Sequence, residues 1–550
     1  MRPSFQLDLA FDGATPVGNQ GLRYLVRSSA SETEYAVGQI RVAISRVSGE
    51  VKVDVPFTTA DQLYYSQESN KLRLSNDPRV LYDGRSEADP RGFYSLLQFG
   101  TTVPPLTLWR GISEFIPGRE VTIGAGGKWI SDAGQFAWPG AKKQEGSLEL
   151  ESQLNVLTDL IDEILIESCP RQDPVILFSG GVDSGVLAAR AAAMGWKGTT
   201  LVNYCFGKDD KESELAANMA QQLGLKFVRI NGQDCDTLEV LDNIGRVYVR
   251  PFGDPSLSPT YALASAVIER FPSSRVIFDG TGADGAFGLY SKMPFYRKLY
   301  RIPKPIRNMA GLLYERSESW MTNSSFERIG RILRRSAQLP MVLGAIARNP
   351  LANIAYPVQP EIQREVLELA TNWINENAPS ESFEVRLPAA DLAINCSRVL
   401  AQKTKSVFDA CDRKVVYPFL DGRMVGLAIQ RARYWPGRTE PKRVLKAMLA
   451  SCVPPEMVYR PKSGFVGPYR TIFSQPKFLS KLDQLIECKA TLTNFVDLPV
   501  LKKLRDAIQS QLSLPDQTYW FIWSAVFAHC WLESLEDRKA FSGVLGQNSA

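Results

Sequence analysis

The sequence predicts an α/β protein: a doubly wound parallel sheet with helical additions, preceded by a β-rich front region. Three observations predict it. Val175-Ile176-Leu177-Phe178 is a short, wholly apolar run, the mark of a strand buried on both faces. Strand-like and helix-like patterns then alternate, which implies parallel strands joined by helical crossovers. The front of the chain instead holds short β-type runs broken by turn residues.

In order, the front runs include 35–42, 51–55 and 120–123, with a turn at Pro117-Gly118. Residues 123–146 read as a linker, which divides a front domain at 1–140 from a second domain at 147–540. From Ser147 the period becomes helical at Leu150, Leu154, Leu157 and Ile161. A small-residue helix follows from Ser184 to Met194 and closes at Gly195. Strands are predicted at 199–206, 226–230 and 275–278, with a helix over 212–223. Ser258-Pro259 reads as an N-cap followed by a first-turn proline. Beyond about residue 295 the pattern is mostly helical.

Composition narrows the function classes. The chain has 550 residues, 44% hydrophobic and 22% charged, with a net charge of +5. That is ordinary globular usage, so disorder and coiled coil are excluded for the whole chain, and nucleic acid is not the default partner. His529 is the one histidine, which excludes any histidine cluster. Eight cysteines without a CxxC pair are neither a zinc knuckle nor a disulfide framework; they suggest a reducing, cytoplasmic setting. No secretory segment is visible near the start. The apolar run Trp520 to Leu532 falls short of the roughly 20 residues of a membrane span and reads as a buried helix. Residues 292–335 carry eleven basic side chains against three acids. They form either a solvated helical face or a patch for an acidic peptide, tRNA or a membrane surface.

Chemistry concentrates at Ser179-Gly180-Gly181-Val182-Asp183-Ser184, at the exit of a buried strand and the start of a helix. Glycines let backbone N–H groups face an anion, and the helix N-terminus adds partial positive charge. Asp183 cannot favour a phosphate directly, so it argues for a bridging metal ion such as Mg²⁺. The Walker lysine is absent.

This segment resembles the PP-loop of ATP pyrophosphatases. Asp279-Gly280-Thr281-Gly282-Ala283-Asp284 is similar to the SGEGAD segment of asparagine synthetases. Tyr417-Pro418-Phe419-Leu420-Asp421, Lys442 to Met448, and Arg460-Pro461-Lys462-Ser463-Gly464-Phe465 resemble further segments of that family, as do Leu108-Trp109-Arg110-Gly111 and Ile116-Pro117-Gly118 upstream. Lasso-peptide cyclases and β-lactam synthetases share the likeness. The resemblance implies a degenerate Ntn-type, αββα-like glutaminase domain followed by a PP-loop synthetase domain. It implies ATP and pyrophosphate contacts at Leu177, Phe178, Ser179, Gly180, Gly181, Asp183, Ser184, Asp279 and Gly280. Asp183 and Asp284 would hold Mg²⁺, and Lys462 would join them as a catalytic cation.

The expected activity is an AMP-forming amide ligase: a small-molecule or peptide carboxylate is adenylated, then attacked by ammonia or an amine. A homodimer is an expected assembly. Alternatives are a macrolactam-forming cyclase of the lasso-peptide type, a tRNA-modifying PP-loop enzyme, and a non-catalytic relative. Three departures bear on this. The chain starts Met1-Arg2-Pro3 with no cysteine before Cys169, so glutamine hydrolysis is not expected. Thr281 stands where asparagine synthetases carry Glu, and threonine is no general base at neutral pH; Asp279 and Asp254 are nearby substitutes. The segment 411–416 lacks the family's Glu-x-Arg spacing.

Overall fold

The structure, a computed structural model, describes residues 5–10, 25–29, 31–68, 71–124, 127–134, 150–207, 210–314, 321, 325–348, 359–378, 382–430, 440–460, 469–487 and 495–546. Among the described residues, ten strands build the front region: β1 (Gln6–Ala10), β2 (Leu25–Ser28), β3 (Glu32–Val37), β4 (Ile40–Ser45), β5 (Val51–Val55), β6 (Tyr64–Glu68), β7 (Lys71–Ser75), β8 (Ser113–Glu114), β9 (Arg119–Ile123) and β10 (Trp129–Gly134). They form antiparallel sheets ordered β1-β7-β6-β8 and β10-β9-β5-β4-β3-β2. Ile40, Val42 and Ile44 alternate inward along β4 and meet Leu72, Leu74 and Phe115 in a shared core. Gly38, at φ +62°, makes the turn between β3 and β4. The linker expected over 123–146 is corrected in part. Trp129–Gly134 is a strand, because it pairs with β9 and its indole donates to Gln67 (3.1 Å).

The second region is a five-stranded sheet, wholly parallel, ordered β13-β12-β11-β14-β15. Its strands are β11 (Val175–Leu177), β12 (Thr200–Cys205), β13 (Lys226–Asn231), β14 (Val276–Phe278) and β15 (Lys414–Val416). The predicted α/β class is therefore present. β15 was not anticipated, because Lys-Val-Val is too short to signal a strand by itself. The order reverses between β11 and β14, and the crevice at such a switch point is where α/β sheets bind ligands. Both sequence motifs sit there, one after β11 and one after β14.

The expected cap at Ser258 is also corrected. The helix is Leu257–Arg270, and Ser258 lies inside it with its hydroxyl donating to the Thr237 carbonyl. The C-terminal run lies in the helix Asp516–Gly546, with Trp523, Phe527 and Trp531 buried against Phe473, Phe252 and Trp109. Among the described residues no helix is long and apolar enough to cross a membrane.

Candidate active site

A cleft of about 1290 Å³ opens at the carboxyl ends of β11 and β14. Its floor is the loop Ser179–Gly181 and the N-terminus of the helix Val182–Ala193. Gly180 has φ +70°, and a Cβ there would lie 2.8 Å from the Ala216 Cα, so only glycine fits both the turn and the neighbouring helix. The loop closes on itself. Ser184 Oγ accepts from the Ser179 N–H (3.2 Å), and Ser179 Oγ accepts from the Gly181 N–H (3.2 Å).

The second loop packs directly on the first. A Cβ on Gly280 would meet Asp183 Cβ at 3.0 Å and the Ser184 nitrogen at 3.1 Å. Gly282, at φ +108°, lies against the Phe419 carbonyl. Leu177, Phe178, Ser179, Gly180, Gly181, Asp183, Ser184, Asp279, Gly280 and Asp284 thus line one cleft. Lys462 lies outside the described residues. Arg460, the last described residue before it, donates to both oxygens of Glu212 (2.8 and 2.7 Å) and to the Gly180 carbonyl (3.2 Å) at the edge of the loop.

A cation that the motif reading did not single out occupies the centre. Lys442 Nζ is 2.7 Å from both oxygens of Asp183 and 2.6 Å from Asp284 Oδ1. Lys442 stands at φ +57°, immediately before the helix Arg443–Ala450, with its N–H donating to the Phe287 carbonyl (3.0 Å). Burial opposes its charge, but the Asp183 and Asp284 carboxylates outweigh burial and hold the ammonium above its usual value. Nothing in the spacing of the sequence brings position 442 between positions 183 and 284.

The convergence of two hard carboxylates on one positive charge also tests the expected metal. Among the described residues no group of three His, Cys, Asp or Glu side chains converges on one point. Two carboxylates nevertheless suit Mg²⁺, which is normally held by one or two protein carboxylates with phosphates and water completing its shell.

The candidate bases differ sharply. Asp279 Oδ1 accepts from the Thr281 N–H (2.9 Å) and hydroxyl (2.7 Å), and Oδ2 from the Thr404 hydroxyl (2.9 Å). Thr281 therefore serves Asp279. Asp254 is buried and meets Ser256, Lys403 (3.4 Å) and Arg348 (3.2 Å). Burial works against its charge, but the two cations hold its carboxyl well below the usual range. Asp391, in the π-helical segment Asp391–Leu400, lines the cleft and accepts from Asn395 (2.7 Å) and from the Cys396 thiol. Burial first, and the Asp284 charge, push this carboxyl up against the hydrogen bonds from Asn395 and Cys396 and the charge of Arg348, which pull it down. His529 is buried in the C-terminal helix, 3.3 Å from Glu533, and does not line the cleft.

The family model for asparagine synthase matches residues 171–533. The chain belongs to the asparagine synthase family. Similar curated proteins are the glutamine-hydrolyzing putative asparagine synthetases of Mycobacterium bovis and Mycobacterium tuberculosis. Each is 24% identical over 303 residues, which cover 53% of this chain and 44% of the relative. The chain thus matches less than half the length of these relatives. Solved structures include the NH3-dependent NAD synthetase of Campylobacter jejuni, with a TM-score of 0.20 and 14% identity, covering 43% of this chain and 99% of that one. The glutamine-dependent NAD+ synthetase of Acinetobacter baumannii, in complex with ADP, has a TM-score of 0.20 and 13% identity, covering 62% and 67%. Likeness at that score says nothing of this asparagine synthase family member's ligands.

Proposed function

We propose that this asparagine synthase family member is an ATP-dependent, AMP-forming amide ligase that adenylates a carboxylate for attack by ammonia or an amine. The observation that carries the reading is the meeting of Asp183, Asp284 and Lys442 at the sheet's switch point. Adenylation brings two anions together, so a site that performs it must gather cations and backbone donors.

In this reading the Gly180-Gly181 turn and the helix behind it face the phosphates of ATP. Asp183 and Asp284 hold Mg²⁺, which when bound offsets charge on the leaving pyrophosphate. Lys442 neutralises the paired carboxylates and keeps them together before the nucleotide arrives. Lys462, which the family resemblance assigns to the phosphates, is the second cation of this reading. The proton lost by the amine goes to Asp391, since Asp279 already accepts three hydrogen bonds and Asp254 is held by Lys403 and Arg348. Residues 1–168 contain no cysteine and so offer no thiol for glutamine hydrolysis, and in this reading the nitrogen comes from ammonia or a substrate amine.

A cleft of about 1290 Å³ has room for ATP with an acceptor beside it. A peptide as that acceptor gives the second reading, a macrolactam-forming cyclase.

ATP–pyrophosphate exchange with candidate carboxylates tests the proposal. Exchange is expected with Mg²⁺ present and should fall about 10²-fold or more in Asp284→Asn, with the thermal midpoint little changed. Wild-type exchange rates in that variant would remove Asp284 from the site.

A further inference from the structure

The basic segment after the cleft folds into three helices, Met293–Arg301, Lys304–Tyr314 and Ser325–Gln338, and the second and third pack on each other. Amphipathic helices normally turn their apolar stripe inward. The helix Lys304–Tyr314 does the reverse. Ile306, Met309 and Leu313, spaced three and four apart on one face, are 49, 60 and 77% exposed. Ile302 and Leu312 beside them, Phe295 on the preceding helix and Ile329 on the following one are exposed too.

The inward face is polar or bare. Arg307 is buried, its guanidinium 4.3 Å from the Tyr300 ring centroid and donating to the carbonyls of Ile302 (2.9 Å) and Ser336. A Cβ on Gly311 would lie 2.9 Å from the Arg334 nitrogen, so the two helix backbones nearly touch. These contacts fix the helix rotation, and the apolar stripe is held outward.

Charge indicates what covers it. Lys298 and Arg301 on the preceding helix, Lys304 at the first position of this one and Arg328 on the following one are exposed, with no ion pair to another described residue. Exposed aliphatic side chains on helices that also carry exposed cations are the pattern of a segment lying in the headgroup boundary of an anionic bilayer. Nucleic acid would take the cations on its phosphates and leave the aliphatic stripe in water, whereas a bilayer covers both.

We infer that this pair of packed helices docks on an anionic membrane surface, with Ile306, Met309 and Leu313 at the acyl boundary and the exposed cations of the segment on lipid phosphates. Leu289 and Lys292, just before the first helix, line the cleft, so docking holds the mouth of the cleft beside the bilayer.

Co-sedimentation of the full chain with vesicles tests this without reference to catalysis. Phosphatidylcholine vesicles containing phosphatidylglycerol should bind the protein, pure phosphatidylcholine should bind it far less, and salt should weaken binding. Met309→Glu with Leu313→Glu should lower partitioning about tenfold or more, with the thermal midpoint unchanged. Lys304→Glu, which leaves the apolar stripe intact, should weaken binding to the anionic vesicles alone. Absence of vesicle binding would overturn the inference, as would binding that these variants leave unchanged. A tRNA gel shift, or a dimer dissolved by the double variant, would likewise overturn it if found without vesicle binding, and would reassign the face to nucleic acid or to a second copy of the chain.

Discussion

Lys442 spends backbone strain and burial to place one ammonium between two carboxylates. A non-glycine residue at φ +57° costs of order 1 kcal/mol, and it persists because the Phe287 carbonyl and the following helix fix it. Removing the ammonium leaves Asp183 and Asp284 facing each other. Lys442→Met should therefore destabilise by about 1–3 kcal/mol, less than a fully buried pair would, because Asp284 is two-thirds exposed. Added Mg²⁺ should raise the melting temperature of this variant more than that of the wild type; equal shifts would mean the two carboxylates do not share a cation. Asp391 carries the second residue-scale prediction. Its carboxyl is raised, so its basic form is lost at a higher pH than that of an ordinary aspartate. Amide formation per ATP consumed should show an acid limb at that pH. Asp391→Asn should abolish the limb and slow amide formation ~10²–10⁴-fold while sparing ATP–pyrophosphate exchange. An acid limb unchanged in the variant would return the role to another carboxylate.

Elements differ in how plainly they announce themselves. The β11 run and the two glycine-bearing loops were legible because each signal is local: an apolar strand, a turn that needs glycine, a helix N-terminus. Their meeting was not, since Gly280 touches Asp183 only once β14 lies beside β11. β15 escaped because its three residues carry no period, and its place comes from hydrogen bonds to β14. β10 escaped for the opposite reason. Its glycine and polar residues look like a linker, and pairing with β9 overrides that preference. The π-helical segment Asp391–Leu400 has no signature in the sequence, yet it aims Asp391, Asn395 and Cys396 into the cleft. Lys442 was visible only as the first residue of a helix, because contacts across about 260 positions leave no trace in one-dimensional spacing.

At the scale of the molecule, the front region and the region built around the parallel sheet share buried polar contacts. Arg398, from the segment that carries Asp391, donates to both oxygens of Glu114 on β8, and both side chains are almost wholly buried. Arg250 lies beside them, donating to Gln62 (2.9 Å), Thr101 (2.6 Å) and the Arg398 carbonyl (2.6 Å). Burial and the neighbouring Arg398 charge push its guanidinium down to about 10. The Thr58 hydroxyl donates to the Leu420 carbonyl (2.9 Å), one residue from the Phe419 carbonyl on which Gly282 rests. The front region thus braces the loop that carries Asp284, whether or not it has chemistry of its own. Breaking one partner of a buried ion pair leaves an uncompensated charge, so Glu114→Gln should cost about 3–5 kcal/mol. Glu114→Leu combined with Arg398→Met should recover most of that loss, because the pair's desolvation cost disappears with its attraction. Urea unfolding followed by fluorescence should give one cooperative transition for the wild type, shifted to lower urea in Glu114→Gln. Two separate transitions in the wild type, with the earlier one alone moved by Glu114→Gln, would mean that the front sheets fold independently and do not brace the cleft.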